Sequence, residues 1–247
     1  MIIMMQLSKE ERLLKIDSIT NTRDLGGYET QDGHYTKTKR YVRAAGPDRL
    51  DETGVQALYD FGVRAQIDLR SDIEVEKAPS ALHGYRDVAY YHINLLEDIN
   101  MEVIPDTIKK EANLSTLYVY IIEACKSKIK EVFDIFLQFP HDTVLFNCSA
   151  GKDRTGVIAA LLLDLAGCHE QDIVTDYAES YENNLPIIKN LEKLIGHERK
   201  VLLESKPEYM EHFLLHIKEH YGSAKEVLLQ CGLTEEQVMY IANNFKI

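Results

Sequence analysis

The stretch Thr143-Val144-Leu145-Phe146-Asn147-Cys148-Ser149-Ala150-Gly151-Lys152-Asp153-Arg154-Thr155-Gly156-Val157-Ile158-Ala159-Ala160-Leu161-Leu162-Leu163 reads as strand, tight loop and buried helix. The apolar run 143–146 has strand length, a glycine-bearing loop follows, and the apolar run from Val157 has helix length. That order stacks backbone N–H groups at the positive end of a helix dipole and makes an anion site. The same field favours the thiolate form of a cysteine sitting in it, so Cys148 is the candidate nucleophile. Arg154 can grip a tetrahedral anion with two donors and keeps its charge at every working pH. Backbone N–H groups of Ser149, Ala150, Gly151, Lys152, Asp153 and Arg154 supply the remaining anion contacts, and the Thr155 hydroxyl stands one residue on. Each part also has an ordinary reading: a small core cysteine, a turn glycine, a solvated arginine. The joint pattern, with its strand and helix in place, points to phosphoester chemistry through a thiol.

Working outward, strands alternate with helices. Asp51–Phe61 reads as a helix closed by Gly62. Ala65–Leu69, Val88–Leu95 and Thr143–Phe146 read as short buried strands, residues 28–44 as an irregular hairpin leading into a strand, and 1–16 as a short helical start. This alternation predicts an α/β fold with a mainly parallel central sheet flanked by helices, the loop lying outside the carboxyl end of its strand. Residues 97–115 interrupt the alternation with a polar stretch and precede a helical run, Leu117–Phe139; so long a connection marks either a lid or a surface excursion. From 168 to 247 the chain reads as a helical C-terminal region, punctuated by Pro186, Pro207 and Gly222, with Thr234-Glu235-Glu236 opening the last helix. There is no repeat and no low-complexity linker, so residues 1–247 are expected to form a single domain.

Acidic residues exceed basic ones by 12 and the pI is near 5.2, which gives no bulk attraction to nucleic acid or acidic membranes. A local basic mouth at the loop is compatible with that balance. The four cysteines are scattered without a C-x-x-C pair, and the histidines, His92 among them, lack metal-ligand spacing, so no metal and no cofactor is expected. No apolar run reaches the ~20 residues of a membrane span, and the apolar start Met1–Gln6 is too short for a signal segment. A cytoplasmic protein without stable membrane insertion is the expectation; oligomeric state is not legible.

The loop resembles the P-loop of cysteine-dependent protein tyrosine phosphatases, in particular the bacterial and fungal group with Cys-x-Ala-Gly-Lys-Asp-Arg-Thr-Gly, similar to secreted phosphatases of intracellular bacterial pathogens. Asn21-Thr22-Arg23-Asp24-Leu25-Gly26-Gly27, Tyr41-Val42-Arg43 with Asp48-Arg49-Leu50, Ile67-Asp68-Leu69-Arg70-Ser71, Thr175-Asp176-Tyr177 and Tyr221-Gly222-Ser223 resemble further elements of that group, in the same order. The likeness covers roughly residues 18–245. It implies a tyrosine or dual-specificity phosphatase fold and phosphotyrosine proteins as substrates. It also implies a lid over the site at 97–115, and includes effectors exported without a cleavable signal. It places the general acid at Asp98, after the strand before the lid, with Asp153 second and Asp68 or Asp72 third. Lys152 inside the loop is also similar to lipid phosphatase loops, which adds phosphoinositides as substrates; a solvent-facing lysine is the alternative. One departure stands out: Asn147 occupies the position where the group carries histidine, an uncharged support in place of an ionisable one. A pseudophosphatase that binds phospho-ligands without turnover and a rhodanese-like sulfur carrier are the rival readings, and Arg154-Thr155-Gly156 fits phosphate better than sulfur transfer.

Overall fold

The computed structural model describes residues 6–97, 114–191 and 201–247. The elements are α1 (Lys9–Arg12), β1 (Arg23–Asp24), β2 (Tyr41–Ala44), α2 (Glu52–Phe61), β3 (Val63–Asp68), α3 (Asp72–Lys77), β4 (Ala89–His92), α4 (Leu114–Ala124), α5 (Lys126–Gln138), β5 (Thr143–Asn147), α6 (Asp153–Ala166), α7 (Glu170–Asn183), α8 (Leu185–Leu191), α9 (Pro207–His220), α10 (Ala224–Gln230) and α11 (Glu235–Asn244). The local signals are those the sequence shows. Asp51 accepts from Gly54 N at 2.8 Å to start α2, and Gly62, at φ 121°, stops it. Ser71 and Glu74 form a capping box on α3. Gly167, at φ 83°, ends α6.

The sheet order is β1-β2-β5-β3-β4. β2, β5, β3 and β4 run parallel and β1 is antiparallel to β2. Ala44 and Asp68 both pair with Asn147, so the carboxyl ends of β2, β3 and β5 lie level and their following loops share one edge. Period-two alternation splits the strands between two cores. Tyr41, Ile67, Val144 and Phe146 face the larger one, under α4 to α7 and α9 to α11; Val42, Ala44, Val63 and Leu145 face the smaller, with Val55 and Leu58 of α2. Helix α6 is buried on nearly every side, as its unbroken apolar run requires.

Three expectations shift. The helical start narrows to Lys9–Arg12, after which Leu13 turns extended and bridges Arg23. The strand expected at 88–95 is confined to Ala89–His92. The run 117–139 divides at Cys125 into α4 and α5; with no glycine or proline there, periodicity alone runs the two together. Of the segment 97–115, residues 98–113, Asp98 included, lie outside the described residues. Among the described residues no helix is long and apolar enough to cross a membrane.

An ionic cluster ties the N-terminal elements to α7. Asp176 is fully buried and accepts from Arg23 Nε at 2.8 Å, from Tyr28 Oη at 3.1 Å and from Arg43 Nη1. Burial pushes its carboxyl up, but the two guanidiniums override that and hold it well below the usual range. We expect Asp176→Asn to destabilise the fold by about 3–5 kcal/mol in urea denaturation at pH 7, because two buried cations lose their counter-charge. A depressed carboxyl contributes stability above its unfolded pKa and loses it as pH falls through the folded one. The gap between wild type and variant should therefore close in acid below about pH 4.

Candidate active site

Strand β5 delivers Cys148, almost wholly buried, to the level edge of the sheet. The loop that follows is held from behind by its carbonyls. Asn21 Nδ2 donates to Ala150 O and Gly151 O, each at 2.9 Å, Asn184 Nδ2 to Ala150 O at 2.9 Å, and Arg43 Nη2 to Gly151 O at 2.8 Å. With those carbonyls engaged at the back, the amides that alternate with them are left for a ligand. Lys152, the residue before α6, makes no side-chain cap bond to the helix, so the first-turn N–H groups also keep their anion-binding capacity. Gly151 sits at φ 61°, and a Cβ there would lie 2.3 Å from Ala44 O, which only glycine avoids.

Arg154 is mostly buried and its terminal edge is taken by Glu74 of α3: Nη1 donates to Oε2 at 2.6 Å and Nη2 to Oε1 at 2.9 Å. Glu74 is itself fixed by Ser71 N at 2.8 Å and by the Ser149 hydroxyl. Burial works against both charges, yet the pair overrides it: the Glu74 carboxyl falls well below the usual range and Arg154 is pushed higher still. Arg154 Nη1 also donates to Leu69 O and Nη2 to Ser149 Oγ, each at 3.4 Å, so the Nε–H, which no described residue accepts from, is the donor left for a tetrahedral anion.

Asp153 Oδ1 accepts from Tyr118 Oη at 2.6 Å and pairs with Lys152 Nζ at 2.9 Å, while Tyr118 and Tyr177 share a phenol contact of 2.5 Å. Asp153 Oδ2 has no partner among the described residues. Lys152 is not solvent-facing; its buried ammonium meets Asp153 and Glu204 O, the latter at 2.7 Å. Thr155 Oγ1 is buried and without a partner among the described residues. Asp68 is buried and gripped by Arg70 Nη2 at 2.7 Å and Nε at 2.9 Å, and Asp72 is mostly exposed beside His92, at 3.8 Å. Cys148 and the residues Ser149 to Thr155 thus converge on one loop. Glu74 and Asn184 are neighbours of the loop that the sequence reading did not single out, and Asn21 and Arg43 entered it only within resembling segments, without a role at the loop. Of these only Glu74 carries a local signal, as the last residue of its capping box.

With this geometry, the family comparison is decisive: the sequence model described as the tyrosine phosphatase family matches residues 14–246. The chain belongs to the tyrosine phosphatase family. Among relatives, it is 36% identical over 140 residues to a tyrosine-protein phosphatase of Nostoc commune, covering 57% of this chain and 48% of that protein. It is 27% identical over 173 residues to the triple specificity protein phosphatase PtpB of Mycobacterium tuberculosis, covering 58% and 62%. The matches thus span between about half and two thirds of the length of these curated relatives. Among solved structures, P. aeruginosa TpbA aligns over 81% of this chain and 91% of its own at a TM-score of 0.38 and 14% identity.

The two bonds from Arg154 to Glu74 fix the orientation of the guanidinium. Glu74→Gln should keep the fold and lower kcat/KM toward an aryl phosphate by roughly 10- to 100-fold, the scale on which a misplaced binding group is felt. Steady-state kinetics alongside a circular dichroism melt checks this.

Proposed function

We propose that this chain is a protein tyrosine phosphatase that hydrolyses phosphate monoesters through a phosphocysteine intermediate on Cys148. The observation that carries the reading is the loop itself, with carbonyls tied behind, amides and the Arg154 Nε edge left in front, and the cysteine at its base. Cys148 Sγ attacks phosphorus, the P–O bond to the tyrosyl oxygen breaks, and that oxygen takes a proton from an acid. Water then attacks the phosphocysteine and the thiolate departs with inorganic phosphate. Amides of Ser149 to Arg154 and the Arg154 guanidinium hold the equatorial oxygens as charge shifts. The partnerless Thr155 hydroxyl is suited to donate to the departing thiolate. Two carboxyls compete for the acid role: Asp98, and Asp153, whose Oδ1 is anchored while Oδ2 is free to carry a proton.

Phosphotyrosine proteins are the substrates we favour, and the four free cysteines suit a reducing compartment such as the cytoplasm. Extension to phosphoserine, phosphothreonine and phosphoinositides rests on the resemblance and on the name of the mycobacterial relative. The commitment of Lys152 to Asp153 and Glu204 argues against the lipid activity, since that ammonium would have to leave two partners to meet a second phosphate.

Cys148→Ser should abolish turnover of para-nitrophenyl phosphate while retaining phosphate binding by calorimetry; measurable turnover in the purified variant would exclude the covalent route through Cys148, and phosphate binding without turnover in the wild type would leave a binding protein. Arg154→Lys should lose on the order of 10²-fold or more in kcat/KM, because an ammonium lacks the planar fork. The acid is assigned by comparing Asp98→Asn with Asp153→Asn. The true acid's loss should reach ~10²–10⁴-fold for phosphotyrosine and shrink for a leaving group that needs no proton.

A further inference from the structure

Behind the nucleophile runs a buried polar chain. The Ser80 hydroxyl donates to Gln66 Oε1 at 2.7 Å, Gln66 Nε2 donates to Asn147 Oδ1 at 2.7 Å, and Asn147 Nδ2 donates to Asp68 Oδ1 at 3.2 Å. Gln66, Asp68 and Asn147 have no exposed surface and Ser80 almost none. Asp68 completes the chain against Arg70 and accepts from Tyr90 Oη at 3.1 Å.

The direction of every bond follows from one end. Asp68, ion-paired with Arg70, is an acceptor only. Asn147 must therefore present its amide N–H to Asp68 and its carbonyl to Gln66. Gln66 must then present N–H to Asn147 and its own carbonyl to Ser80, which leaves Ser80 as the donor. Ser80 Oγ confirms its side of the arrangement by accepting from Leu82 N at 3.1 Å while it donates to Gln66. Residue 147 thus needs an acceptor at one end and a donor at the other, which an amide supplies without charge. An imidazolium offers donors at both ends and would face the Gln66 N–H groups. Asn147 is also the residue next to Cys148, and its carbonyl accepts from Leu69 N at 2.7 Å, so fixing its side chain fixes the strand end from which the nucleophile projects.

We propose that Gln66 and Ser80, acting through Asn147, are positioning residues that seat the nucleophile on a neutral hydrogen-bond relay. The inference rests on the phosphatase reading only for what the seated cysteine does. In Gln66→Met, which keeps volume and removes the amide, kcat should fall roughly 10-fold with KM and competitive inhibition by inorganic phosphate unchanged. Ser80→Ala should lower kcat in the same sense and Ser80→Thr should restore it. In an Asn147→Ala background the further effect of Gln66→Met should shrink to under about 3-fold, because the relay is already cut. Alkylation of Cys148 by iodoacetate, followed by mass spectrometry, gives the same cycle without turnover, Gln66→Met slowing it and the double variant matching Asn147→Ala. Wild-type kcat and alkylation rate in Gln66→Met, or losses that multiply in the double variant, would overturn the relay. A wild-type protein that alkylates with the relay's pattern but releases no phosphate would overturn the phosphatase reading alone. If Gln66→Met does not fold, the Ser80→Ala and Ser80→Thr pair decides: equal kcat in the two refutes the relay.

Discussion

The Asp176 carboxylate is the point on which the loop's geometry hangs. It neutralises Arg23 and Arg43 together, and Arg43 in turn reaches the Gly151 carbonyl. Two guanidiniums without water are costly unless a charge meets them. The cluster is therefore an expensive way to add stability and a precise way to fix position. It joins β1 and β2 to α7, a helix far from both in the chain, at a single buried oxygen pair. Arg23 adds a bond to the Asp176 carbonyl at 2.5 Å and another to Asn21, which holds the Ala150 carbonyl and shares that of Gly151. The ionic cluster and the amide supports form one continuous scaffold behind the loop that follows β5.

The front of the cradle is governed by a different balance. Glu74 occupies the terminal edge of Arg154 and leaves the Nε–H without a partner among the described residues, so the charge is oriented before any ligand arrives. Preorganisation of this kind spares the reorganisation that a freely rotating arginine would require in the transition state. Glu74 lies at the third position of a short helix whose capping box already directs its carboxylate toward the helix start. One side chain thus caps α3 and aligns the arginine.

Much of this was legible in the sequence wherever the signal was local. The run 143–163 announces strand, loop and helix because its apolar stretches change length and period around a glycine. The parallel sheet follows from alternation with helices. What stayed hidden depends on contacts between distant residues. Nothing near Arg43 or Asp176 says that they meet, and reading Ala65–Leu69 as a buried strand gives no sign that Gln66 closes on Ser80 and Asn147. Lys152 shows the same limit. Its place inside the loop suggested either solvent or a second phosphate, whereas the fold brings Glu204 O to it from more than fifty residues away. Cys125 separates two helices without a breaking residue, so periodicity could not find the division.

The close approach of Gly151 to the Ala44 carbonyl constrains how such a site can diversify. A side chain at 151 would need β2 to move, and β2 is locked in register with β5, so neither partner can vary alone. The floor of the loop is therefore the rigid part of this sheet edge, and freedom to change shape lies in the surrounding loops, such as the one after β2 that carries the exposed Arg49.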